Sequence, residues 1–140
     1  MDMKSTLYAG VKMAKGKAAP DSTMKELIGK VFSSRNAFHF AHWSSKSYAE
    51  HEAIGGLYDG IVGKMDEIVE VYQGKYGLLQ NVTAPASKTP KNLLQHVKNE
   101  AEWIGKNRDD ITNNCEAASA IIDELEAMYL KAIYKLENLK

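Results

Sequence analysis

Apolar residues recur at steps of three and four along most of the chain, and almost nowhere do they alternate as a half-buried strand would. The run opening at "DSTMKELIGKVF" puts Leu27, Ile28, Val31, Phe32 and Phe38 at helical spacing, which predicts a first helix over about 22–43. Thr23 with Glu26 three residues on is a capping-box pattern for its start. "SSKS" interrupts the run, and Ser47 with Glu50 repeats the pattern. A second helix over about 48–74 follows, with Ile54, Tyr58, Ile61, Met65, Ile68 and Tyr72 on one stripe. Gly74 and Gly77 stop it.

The segment "GLLQNVTAPASKTP" is too long and too rich in breakers for a tight turn. Thr89-Pro90 reads as an N-cap and first-turn proline for a third helix over about 90–108. A polar break, "KNRDDITNN", leads to a fourth over about 112–138, where Cys115, Ala118, Ile122, Leu125, Tyr129 and Ala132 share a stripe. A short link, a long link and a short link predict two antiparallel hairpins joined by a B–C crossover. The expected fold is all-α, a ferritin-like four-helix bundle over 21–140 behind a basic extension over 1–20.

Composition changes this picture little. The 140 residues carry 18 basic and 18 acidic side chains, so the body is not built around nucleic acid. The first twenty residues hold Lys4, Lys12, Lys15 and Lys17 against Asp2, four charges less one, which leaves them at +3 and the rest at −3. Any DNA contact is expected through those lysines. The single cysteine favours a reducing compartment, and no apolar run approaches the roughly 20 residues that span a bilayer. A cytoplasmic protein without a membrane partner is expected.

Candidate chemistry is concentrated in "FHFAHWSSKSYAEHEA". Three of the four histidines, His39, His42 and His51, fall there, and a hairpin turning near residue 45 brings them to one end of a helix pair. The second helix also carries Asp66 and Glu70, one turn apart on one face. His51 and Asp66 lie roughly 22 Å apart along that helix at 1.5 Å per residue, whereas ligands stand about 2 Å from a metal. One chain therefore cannot bring both to one ion, but two chains packed antiparallel along this helix can. The midpoint of such a pairing falls in "GGLYDGIVG", whose four glycines fit a close backbone approach. Asp59 would face its own copy near the axis. His96, with Glu100 one turn on, reads as an ordinary surface histidine, and Trp43 as packing at the hairpin turn.

His42-Trp43, His51, "LYD" and "MDEIVE" (Met65 to Glu70) together resemble the Dps-like mini-ferritins. The resemblance is specific over about residues 38–70 and architectural beyond them. It implies an iron site between two subunits, with His42 and His51 from one chain and Asp66 and Glu70 from the other. His39 is a further candidate ligand. Iron, as one ion or two, is the implied metal; the donor set would also suit Zn or Mn. The implied activity is ferroxidase, in a homo-oligomer that is a dimer through the second helix and a dodecamer in its full form. The chain also resembles compact phage-encoded proteins of this kind. It departs from the family at Gly55, where an acidic residue is usual, and in a shorter link between the two histidines. The alternative expectation is a non-catalytic helical assembly or interaction protein, structural or DNA-associated, that keeps the fold without the metal chemistry.

Overall fold

A computed structural model describes residues 21–140, and the described residues form helices joined by turns and one long irregular segment. The basic extension and its lysines lie outside them. The helices are α1 (Ser22–Ser44), α2 (Tyr48–Tyr76), α3 (Leu93–Lys106), the single turn α4 (Arg108–Thr112) and α5 (Glu116–Asn138). The protein is all-α over this range, and no helix in it is long and apolar enough to cross a membrane.

Each long helix buries the stripe that its spacing sets. Met24, Leu27, Val31 and Phe38 of α1 meet Ile54, Ile61, Met65 and Ile68 of α2, with Val97 and Ile104 of α3 and Ile122, Leu125 and Tyr129 of α5 closing the core. Burying one such side chain contributes about 1.5–3 kcal/mol, and this shared core, more than local propensity, holds the helices.

The ends show which local signals were used. Ser47 caps α2, its Oγ accepting from the Glu50 N–H at 3.3 Å, as the capping box predicts. Gly77, at φ 90°, ends the helix in a backbone conformation that a side chain would strain, while Gly74 passes inside it. The first predicted box is not used. Asp21, not Thr23, is the N-cap of α1, and it makes no capping bond; its carboxylate accepts instead from the Tyr72 hydroxyl at 2.7 Å. That bond ties the start of α1 to the end of α2. Helix α3 begins later than expected, because Asn92 supplies the cap by accepting from the Gln95 N–H. Pro90 stays in the crossing segment. "KNRDDITNN" itself coils into α4, stopped by Asn113 and Asn114 at positive φ.

The crossing segment over 77–92 runs along α1. Lys25 donates to the Gln80 carbonyl and Ser33 to that of Ala86. Gly29 lets it lie close, since a Cβ there would stand 3.0 Å from the Thr83 carbonyl oxygen. Helix α3 then returns antiparallel to α1, with His96 beside Ser34 and Trp103 under Lys30. Helix α5 runs antiparallel to both α3 and α2; Arg108 forks onto Asp123, Lys98 pairs with Glu137, and Lys64 bridges Glu67 and Glu124. The Arg108 guanidinium holds the Asp123 carboxyl below its ordinary value, but the pair is half-exposed and screened by water, so it adds little to stability.

Candidate metal site on the α1–α2 hairpin

The three-residue link Ser45–Ser47 folds α2 back along α1 and brings the end of one helix against the start of the other. His42 and His51 meet there face to face, ring centroids 3.6 Å apart and planes 21° from parallel. Their hydrogen bonds are reciprocal. His42 Nδ1 lies 2.8 Å from the carbonyl oxygen of His51, and His51 Nδ1 lies 3.0 Å from that of His42. A carbonyl only accepts, so both imidazoles carry a proton on Nδ1, and in the neutral form of each ring the lone pair is on Nε2. Metal-ligating histidines are typically oriented in this way, by an N–H donated to a carbonyl or carboxylate behind the ring.

Gly55 lies one turn beyond His51 and explains why His42 fits. A Cβ at residue 55 would stand 2.9 Å from both Cε1 and Nδ1 of the His42 ring. The ring occupies the space of the missing side chain. Gly60 is likewise explained inside the chain, since Met128 Cε fills its Cβ position. Only Gly56 and Gly63 face open space. The glycine cluster therefore needs a second chain at two of its four positions, not at all four.

His39 joins the cluster at one remove. It falls a turn away from the position expected beside His51, because helix pairing matches Arg35 and His39 with Tyr58. Its ring stacks on Tyr58 at 4.2 Å, meets Trp43 at a 47° tilt with centroids 4.4 Å apart, and lies 6.4 Å from that of His42. Desolvation by these neighbours, then the positive Arg35 and the proximity of His42, lower its pKa. A base with a depressed folded-state pKa loses stabilisation as pH falls below its ordinary 6.5, because the unfolded chain takes the proton first. In a proton NMR titration His39 should therefore be protonated only below pH 6.5; a midpoint at or above that value would contradict the stacked geometry.

Trp43 is not buried at the turn. It is 69% exposed and, with Phe40 and Tyr48, gives this end of the hairpin an open aromatic surface. Tyr58, expected in the core, lies on the same face, half-buried. Asp66 and Glu70 stand exposed farther along α2, as does Asp59 between them and His51. Within one chain the structure thus brings His39, His42 and His51 together and keeps the two carboxylates away. Among the described residues no three His, Cys, Asp or Glu side chains converge as a metal-binding group.

A second polar cluster was missed in the sequence. Glu100 is 7% exposed and Ser34 4%, in the core between α1, α3 and α5. Ser34 Oγ donates to Glu100 Oε1 at 3.0 Å, and the Tyr129 hydroxyl donates to Oε2 at 3.3 Å. His96 Nε2 lies 2.9 Å from Ser34 Oγ and 3.5 Å from Glu100 Oε2, so His96 closes the network at its solvent side and is not an ordinary surface residue. The available signal was phase: residue 100 falls with Val97, Ala101 and Ile104 on the buried stripe of α3. Cys115 is buried, as its position on the apolar stripe predicts.

The matching family model spans residues 42–136, more than half of the chain, and is described as a family of unknown function, DUF5856. The chain belongs to that family. The matched span takes in His42, His51, Gly55, Asp66, Glu70 and Glu100, and begins after Ser34 and His39. The chain is also similar to a protein of Enterobacteria phage T4 described as an uncharacterized 14.6 kDa protein in the mobD-ri intergenic region. They are 26% identical over 119 residues, 82% of this chain and 88% of the phage protein. No solved structure matches.

Proposed function

We propose that this DUF5856 member is a Dps-like metal-binding oligomer of the ferritin-like class, with sites shared across a two-fold axis between copies of α2. His42 and His51 of one chain face Asp66 and Glu70 of its partner, and Fe(II) is the substrate and cargo. One observation carries the reading: two imidazoles, side by side, each fixed through Nδ1 to a carbonyl and each with Nε2 left for a ligand. The charge pattern along the exposed face of α2 supports it, with histidine near one end and carboxylates near the other, so antiparallel copies are complementary. The open aromatic surface of Trp43, Phe40 and Tyr48 adds apolar area for the same contact. Helix directions and the long crossing segment support the ferritin-like class.

Bound iron would supply the Fe(II)/Fe(III) couple, and a dissolved oxidant would take up the electron. The residues position the ion: the two carbonyls fix the imidazoles, and the carboxylates balance the charge. A non-catalytic assembly protein is the second reading. It is favoured by the packing of His42 on Gly55, which makes the stacked pair a serviceable clasp for the hairpin without any metal. Contact with DNA through Lys4, Lys12, Lys15 and Lys17 would rest on residues outside those described.

Anaerobic Fe(II) titration of the full chain, with sedimentation on the same sample, separates the readings. The metal reading expects stoichiometric uptake by a dimer or larger assembly, lost in His51→Ala and in Asp66→Ala while the assembly persists. An assembled protein that takes up no Fe(II) establishes the clasp reading in its place.

A further inference from the structure

We infer that each shared site holds one divalent ion, not a pair, and that Gly55 is the residue that sets this number. The inference rests on the site proposed above and adds its stoichiometry and ligand class. Paired-ion sites hold their metals about 3.5–4 Å apart, and two divalent ions that close need bridging or flanking anions. On α2, the place from which a carboxylate could stand beside the imidazoles is one turn beyond His51, on the same face. That place is residue 55, and it has no side chain. Nor can it gain one without loss, since even a Cβ would press on the His42 ring at 2.9 Å.

Charge gives the same answer. His42 and His51 are both in the Nδ1–H form and enter as neutral nitrogen donors. Asp66 and Glu70 bring two negative charges. That set neutralises one divalent ion and completes four ligands around it; with two ions it would be left with two uncompensated positive charges. Neighbouring groups do not make up the difference. Glu52 is turned about 100° round the helix from His51, and His39 is held by its stack on Tyr58 with Trp43 tilted against it. Two imidazoles with two carboxylates select a borderline first-row ion such as Fe(II), Co(II) or Zn(II) over the oxygen-seeking Mg(II) and Ca(II).

Co(II) is the probe, because its visible absorption reports the ligand set without any turnover. Titration of the assembled full chain should saturate at one Co(II) per chain, with a single absorption spectrum growing in proportion throughout. Gly55→Asp should weaken that one ion at least tenfold by displacing His42, with helicity by circular dichroism confirming the fold. Saturation of the unaltered protein at two Co(II) per chain overturns the inference and leaves the shared site standing. A Gly55→Asp protein that gains a second ion supports the assignment of the number to residue 55, whereas one that still binds a single ion with unchanged affinity overturns it. An assembled protein that binds no Co(II), like one that binds no Fe(II), overturns the inference together with the reading beneath it.

Discussion

Glu100→Ala should destabilise the protein by about 2–4 kcal/mol, from a buried hydroxyl left unpaired and from the cavity that the side chain leaves. The substitution leaves the Tyr129 hydroxyl without its acceptor inside the core and leaves Ser34 Oγ with His96 alone, and a buried unsatisfied group costs about 1–3 kcal/mol. The volume of the lost side chain adds a cavity. Because domains of this size are stable by only about 5–15 kcal/mol, chemical denaturation should show the loss directly. Tyr129→Phe should cost less, about 1–2 kcal/mol, because Glu100 keeps the Ser34 hydroxyl while one donor disappears. Glu100→Gln should also be milder than Glu100→Ala, as an amide fills the space and still accepts. If Glu100→Ala costs less than about 1 kcal/mol, the network does not hold α3 in the core. The geometry also accounts for the Tyr129 hydroxyl, whose pKa is raised by complete burial first and by the adjacent Glu100 second.

That network marks the limit of what periodicity can tell. The pattern of three and four locates every long helix among the described residues, and it puts residue 100 in the buried phase, but His96 one turn before it reads as a surface histidine. Phase was the better guide, because Ser34 and Tyr129 arrive from two other helices to satisfy the carboxylate. The predicted start of α1 failed for a related reason. Asp21 had a capping role available at α1 and gave its carboxylate to Tyr72, fifty-one residues away in sequence, and no local motif reports a partner so distant. In the candidate site, the meeting of His42 and His51 follows from the short link between their helices. The offset of His39 does not, because pairing set by Tyr58 and Arg35 moved it one turn. Gly55 was legible as a departure from the acidic position of the resemblance. That a histidine ring fills the space became visible only with side chains in place.

Mixing two inactive variants should restore metal binding. His51→Ala and Asp66→Ala each destroy both sites of their own homodimer if every site draws imidazoles from one chain and carboxylates from the other. In a mixed dimer the two substitutions fall in the same site and leave its twin intact. There the surviving His51 belongs to the Asp66→Ala chain, and the surviving Asp66 to the His51→Ala chain. Equal amounts, dissociated and reassembled at random, give mixed dimers as half of all dimers, each with one working site. Uptake should therefore rise from near zero to about a quarter of an ion per chain if the unaltered protein holds one per chain. The arithmetic does not depend on how tightly the site binds, provided the titration is stoichiometric. It depends on the separation along α2: fifteen residues at about 1.5 Å each keep His51 and Asp66 of one chain roughly 22 Å apart, too far for one ion. A site built within a single chain would be lost from both variants and stay lost in the mixture. Failure to recover, in a preparation whose reassembly is verified by sedimentation, would remove the two-fold axis from the proposal and leave the stacked histidines to their role in the hairpin.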